Sequence, residues 1–183
     1  LSLSSGKVAV AKVTAAGGTG ARYTALKMSN VMGSGSLSGY DIGLSGTVTL
    51  ESLDYNSAAS GFSRLDWTSA FELDQDPTAD LIVLDGVTID LAGSLELAVR
   101  GNVTATPLLT ASPLTVSGGV DFALTRQTLD VDSDGNGVAD LLGARLDAMV
   151  LTVTSAVTVD VSGVGSLSLS SGKVAVAKVT AAG

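Results

Sequence analysis

The chain has no cysteine and no histidine among its 183 residues. Without cysteine there are no disulfides, no thiolate metal sites and no thiol nucleophile. Without histidine as well, the common hydrolytic triads and zinc centres are out of reach. Proline occurs three times, and the aromatic residues are one Trp, three Tyr and three Phe, so a core must be built from Val, Leu, Ile and Ala. Positive charge is also scarce. Ten Lys and Arg against eighteen Asp and Glu leave a net charge of −8, which argues against nucleic acid or an anionic membrane surface as partner. No apolar run reaches the roughly 18 residues of a membrane helix, and no secretory leader is visible. The chain opens on Leu1 rather than Met, so an excerpt from a longer protein is the expectation.

What is present is organised around a repetition. The stretch LSLSSGKVAVAKVTAAG fills residues 1–17 and returns unchanged as residues 167–183, an offset of 166. Residues 1–166 therefore read as one full repeat unit, and residues 167–183 as the start of the next identical one. A strand copied to the C-terminus by engineering is the alternative. The apolar alternation from Met149 runs through Gly163 and Gly165 into Leu167 and Leu169 without a change of phase. That continuity predicts one strand passing from unit to unit.

Helical spacing is nearly absent, and alternation with a period of two is widespread. Odd positions carry Leu81, Val83, Val87, Ile89, Leu91, Leu95, Leu97, Val99 and Val103; a second odd row runs from Met149 to Leu169. Even positions carry Tyr40, Ile42, Leu44, Val48 and Leu50, and then Leu114, Val116, Val120, Phe122 and Leu124. A single strand over residues 81–103 would span about 75 Å at about 3.3 Å per residue. Either the strands are long and antiparallel, kinked at Gly86, Gly93 and Gly101, or those glycines are solenoid corners. The expected fold is all-β: an elongated module of long, mostly antiparallel strands, sandwich-like or a continuous sheet, in a tandem array. The alternative is a β-solenoid, although no strict repeat of about 20–30 residues is present. Turns are expected at residues 15–22, 56–61, 74–80 and 130–140. Residues 64–72 and 139–147 have a composition compatible with short helices. Leu-Asp recurs between Leu73 and Leu129, and Ala-Asp-Leu between Ala79 and Ala139, an echo in which the second loop reads as four residues longer.

The motif richest in chemistry is DVDSDGNGVADL. Calcium takes about 6–8 hard oxygens around a tight, flexible loop, which calls for carboxylates at alternate positions and a glycine to turn. From Asp132 the pattern D-x-D-x-N-G-x-x-D offers the side chains of Asp132, Asp134, Asn136 and Asp140, a turn at Gly137 and the carbonyl of Val138. Asp130 is a possible extra ligand. The first register resembles the calcium loops of integrin-type β-propeller repeats. The one starting at Asp130 resembles an EF-hand or dockerin loop but carries Leu141 where that family has an acidic ligand. The competing reading is a plain Asp/Asn/Gly turn. Asp74, Asp76 and Asp80 form a thinner version with Pro77 and no glycine.

Catalytic candidates are weak. Ser4-Ser5-Gly6-Lys7 has S-x-x-K spacing without its companion elements. Asp66 and Glu72 flank Trp67 as a sugar-cleaving pair would, though a surface pair beside a core tryptophan is the simpler account. Gly17-Gly18-Thr19-Gly20 lacks the lysine of a phosphate loop. Tyr23, Tyr40, Tyr55 and Trp67 read as core residues before they read as a sugar platform.

Taken together, the alternation, the acidic loop and the long-period repeat resemble giant tandem-repeat surface proteins of bacteria, of the adhesin and filament type. The resemblance implies a non-enzymatic structural repeat of a long cell-surface or extracellular fibre, rigidified by Ca2+. Its partners would be neighbouring identical repeats in the same chain or in an assembled fibre. An outer-membrane or lipid-binding β-structure is the alternative, but seven aromatic residues with no clustering at strand ends poorly supply the girdles such barrels use.

Overall fold

The computed structural model describes residues 2–35, 47–111 and 114–181, and no helix occurs among them. The alternating segments form long antiparallel strands: β1 (Ser2–Thr14), β2 (Arg22–Gly35), β3 (Thr47–Ala58), β6 (Leu95–Ala111), β7 (Leu114–Val131) and β8 (Leu141–Val161). Two short strands, β4 (Ile82–Leu84) and β5 (Val87–Ile89), form a separate hairpin, and β9 (Gly165–Leu169) and β10 (Lys173–Thr180) complete the chain. The main sheet has the order β1-β2-β3-β6-β7-β8-β10, with β9 also bonded to β8. Apart from the inserted hairpin, the strands follow one another across the sheet in chain order, with β9 and β10 both paired to β8. The sheet is open, with β1 and β10 at its edges, and this geometry does not support the solenoid alternative.

The strands can be this long because glycine and register shifts let them bend. Gly101 faces a shift in β3 between Leu50 and Ser52. A Cβ there would sit 2.2 Å from the Thr49 carbonyl oxygen and 3.0 Å from the Phe122 ring, so only glycine lets the two backbones approach. Gly86 plays a different part from the expected kink. Asp85 and Gly86, both at positive φ, form the two-residue turn that reverses β4 into β5, the geometry an Asp-Gly pair favours.

Two apolar clusters hold the sheet. One gathers Leu50, Val99, Val103, Val120, Phe122 and Val157, with Leu53, Leu97, Leu124, Leu151 and Val153 against it. The other packs Trp67, Val87, Ile89 and Leu91 over Ala9 and Ala25. The segment between β3 and β6 is thus a flap over β1 and β2. Its anchor is Asn56, fully buried near the end of β3. The Asn56 amide donates to the carbonyls of Leu65 at 2.9 Å and Ala92 at 3.0 Å, and its Oδ1 accepts from Trp67 Nε1 at 3.0 Å.

Several expectations need correction. Val87 to Val103 do form an inward row, but Leu81 and Val83 are exposed while Ile82 joins the flap cluster, because the chain reverses at Asp85-Gly86. The strand from Met149 does not run on through Leu169. It turns at residues 162–164, and β9 folds back so that Val157 faces Leu169 and Val161 faces Gly165. Leu167 and Leu169 are exposed accordingly. Residues 64–72 form irregular turns, and β8 begins at Leu141, so neither stretch is helical. Tyr40, Ile42 and Leu44 lie outside the described residues.

Candidate metal centre

Loop residues 132–140 connect β7 to β8. The Asp140 amide bonds to the Val131 carbonyl at 2.8 Å and closes the base of the loop. Gly135 and Gly137, at φ 76° and 88°, supply the left-handed turns inside it. Their amides, together with that of Asn136, converge on the Asp132 carboxylate: Gly135 donates to Oδ1 at 2.7 Å, Asn136 to Oδ1 at 3.3 Å and Gly137 to Oδ2 at 2.7 Å. Across the loop, Asp140 Oδ2 accepts from the Ser133 amide at 2.9 Å and its hydroxyl at 2.8 Å. These donors favour the ionised forms, so both carboxyls titrate below the usual carboxylate range, Asp132 chiefly through Gly137 and Asp140 chiefly through Ser133.

One oxygen from each of Asp132, Asp134 and Asp140 lies within 4.8 Å of the others. Two oxygens on opposite sides of a calcium ion, at about 2.4 Å each, are separated by about that distance, so the three carboxylates fit around one hard cation. The other expected ligands have hydrogen-bond partners of their own. The Asn136 side chain donates to Asp134 Oδ2 at 2.9 Å and accepts from the Val138 amide at 2.8 Å, which ties it to the loop's own framework. Asp130 stands outside the cluster, its Oδ1 accepting from the Gly143 amide at 2.7 Å, where it braces the start of β8.

A second cluster repeats the first. Glu72, Asp74 and Asp80 also bring three carboxylate oxygens within 4.8 Å. Asp80 N–H bonds to the Phe71 carbonyl at 2.8 Å, and its Oδ2 accepts from the Leu73 amide at 2.5 Å. Asp74 accepts from the Asp76 amide at 3.1 Å, and Asp76 accepts from that of Thr78 at 2.6 Å. Each bond has its counterpart sixty positions later, at Asp140–Val131, Asp140–Ser133, Asp134–Asn136 and Asn136–Val138. The two loops are therefore the same length, and the expected four-residue difference does not exist. Gln75, at φ 68°, occupies the place of Gly135. Glu72 occupies that of Asp132 and is the member that reading Asp74, Asp76 and Asp80 alone overlooks. The signal was available: acidic or amide residues at 72, 74, 76 and 80 have the spacing of 132, 134, 136 and 140.

The catalytic candidates are engaged elsewhere. Asp66 Oδ1 caps Thr68, accepting from its amide at 3.0 Å and its hydroxyl at 2.6 Å, while Glu72 accepts the Asp74 and Asp76 amides. Trp67 is fully buried, its ring centroid 5.4 Å from that of Phe71. Lys7 donates to the Asp85 carbonyl at 2.6 Å. Tyr23 packs into the flap cluster, whereas Tyr55 is exposed beside Phe62 and Arg64 in a shallow cleft, so they do not share a platform. Set against family models, curated proteins and solved structures, the chain matches none.

Proposed function

We propose that this chain is a non-enzymatic structural repeat of a long extracellular or cell-surface fibre, in which calcium stiffens the joints between strands. The observation that carries the reading is the placement of the duplicated segment. Its two copies supply the strands at opposite edges of one sheet. An isolated domain has no use for the same edge strand twice, whereas a repeating sheet does. The acidic loops support the mechanical half of the proposal: residues 132–140 join β7 to β8, and residues 72–80 lie in the flap, so an ion in each fixes the course of an exposed loop. Extracellular calcium modules bind with dissociation constants of roughly 0.1–1 mM. At about ten times that concentration, occupancy adds on the order of 1.4 kcal/mol per site.

The test is thermal melting in calcium, in magnesium and in chelator, for the wild type and for Asp132→Ala/Asp134→Ala. The wild type is expected to melt higher in calcium, with magnesium a poor substitute because it demands a smaller, stricter octahedron. The double variant should lose part of the response, and Glu72→Ala/Asp74→Ala added to it should remove the remainder. A wild-type midpoint indifferent to calcium would sink the metal assignment.

A further inference from the structure

The octapeptide Lys-Val-Ala-Val-Ala-Lys-Val-Thr occupies two settings: residues 7–14 within β1, at one edge of the sheet, and β10, at the other. An antiparallel strand sends the backbone N–H and C=O of successive residues alternately to its two sides. In β1 the Ala15 amide bonds to the Ala21 carbonyl at 3.1 Å, while the Arg22 carbonyl turns away to accept from Ala59 at 2.8 Å. With Val13 opposite Tyr23, the residues bonded to β2 are Lys7, Ala9, Ala11 and Val13, and Val8, Val10, Lys12 and Thr14 face the open edge. In β10 the Gly172 carbonyl accepts from the Val153 amide at 3.0 Å, with Lys173 next in register opposite Thr152. Alternation then directs Val174, Val176, Lys178 and Thr180 to β8 and leaves Lys173, Ala175, Ala177 and Val179 open. Position for position, β8 holds the edge that β1 leaves free, and β2 holds the edge that β10 leaves free.

We infer that a single copy of this segment serves as the last strand of one unit and the first strand of the next, bonded to β8 on one side and to the following unit's β2 on the other. The occupant of each open edge is another copy of this unit, and consecutive units form one unbroken antiparallel sheet. Two further observations agree. Both copies are irregular at the same place: the register of β1 shifts between Leu3 and Lys7, and the C-terminal copy breaks between Leu169 and Lys173. The Ser-Ser-Gly irregularity thus belongs to the segment and suits either neighbour. Ala9 is 4% exposed beneath the flap, whereas all eight residues of β10, Ala175 included, are exposed. The surface that the flap covers on β1 is bare on β10, and the following unit's flap is what would cover it.

The inference rests on the repeat reading above but not on calcium. It is tested on a chain of two units, residues 1–166 followed by 1–183, in which one copy of the segment lies between the units. The first readout is hydrogen exchange on this cysteine-free chain. In the single unit, the amides of Lys173, Ala175, Ala177 and Val179 exchange freely while those of Val174, Val176 and Lys178 are protected. At the junction of the two-unit chain both sets are expected to be protected. The second readout is cross-linking. Val150→Cys with Ala175→Cys reports pairing to β8, and Val176→Cys with the second unit's Leu26→Cys reports pairing to β2. Both are pairs without mutual hydrogen bonds, whose Cα atoms come within about 4.5 Å, and residues 175 and 176 point to opposite faces, so the two bridges stay separate. With all four cysteines, both bridges are expected in the same molecule. A junction strand with one freely exchanging set of amides, or bridges that form only one at a time, overturns the shared strand. Each measurement is run with calcium and with chelator: a joint that forms in both while melting ignores calcium removes the metal reading alone.

Discussion

Asn56 shows how much one buried amide can organise. Its three hydrogen bonds reach Leu65, Trp67 and Ala92, which span the whole flap, so removing it frees two carbonyls and one indole N–H at once. Asn56→Ala is expected to cost about 3 kcal/mol in urea unfolding, since an unsatisfied buried group costs roughly 1–3 kcal/mol; a loss under about 1 kcal/mol would mean that water replaces the amide. Asp54, two positions earlier, is the opposite case. Its Oδ1 is buried without a partner among the described residues, and burial raises its pKa above the ordinary 3.8, outweighing the attraction of Lys27. A carboxyl whose folded pKa is raised adds stability at low pH and loses it as pH rises through the folded value. Asp54→Asn is therefore expected to be more stable than wild type at pH 7, with the difference shrinking as pH falls through the raised folded pKa and levelling off below the ordinary 3.8. Urea midpoints across that range check it, and a wild type more stable than the variant at pH 7 contradicts it.

At the scale of strands, the inward rows can be tested by charge. Ile89 is fully buried and Thr158 is exposed. Ile89→Asp is expected to cost roughly 3 kcal/mol or more, and Thr158→Asp to stay within about 0.5 kcal/mol; equal losses would mean the faces are wrongly assigned. Alternation made the long strands legible in the sequence, because burial on one face imposes a period of two. It could not reveal where they reverse. In the three-residue turn at 162–164, partners such as Val157 and Leu169 keep the same parity, so a hairpin and a straight strand share one pattern. At Asp85-Gly86 the parity does change, but Leu81, Ile82, Val83 and Leu84 are all apolar and hide it. The acidic loop was legible because its chemistry is local, although the bond from the Gly143 amide to Asp130 is not readable from that pattern. The role of Asn56 was invisible: a residue in an apparent Asn-Ser turn is buried only because a flap from elsewhere in the chain arrives on it.

For the molecule as a whole, a second unit should change stability by more than addition. Ala175, Ala177 and Val179 are exposed in β10, whereas their counterparts Ala9, Ala11 and Val13 in β1 belong to the cluster beneath the flap. Covering that face at about 0.8 kcal/mol per buried methyl or methylene group contributes on the order of 2 kcal/mol. The two-unit chain is expected to melt in one transition, about 4 °C above the single unit; two separate transitions, or an unchanged midpoint, would describe beads on a string. The strand order has a consequence of another kind. Neighbours in the main sheet follow one another in the chain, interrupted by the flap between β3 and β6 and by β9, which itself pairs with β8. When the polypeptide is delivered from its N-terminus, every strand of the main sheet after β1 therefore emerges with one neighbour already made. Each finished β8 presents a template to the segment emerging next. In the proposed array, growth would proceed as knitting does, row upon row from a single moving end, and the order of synthesis would become the order of assembly.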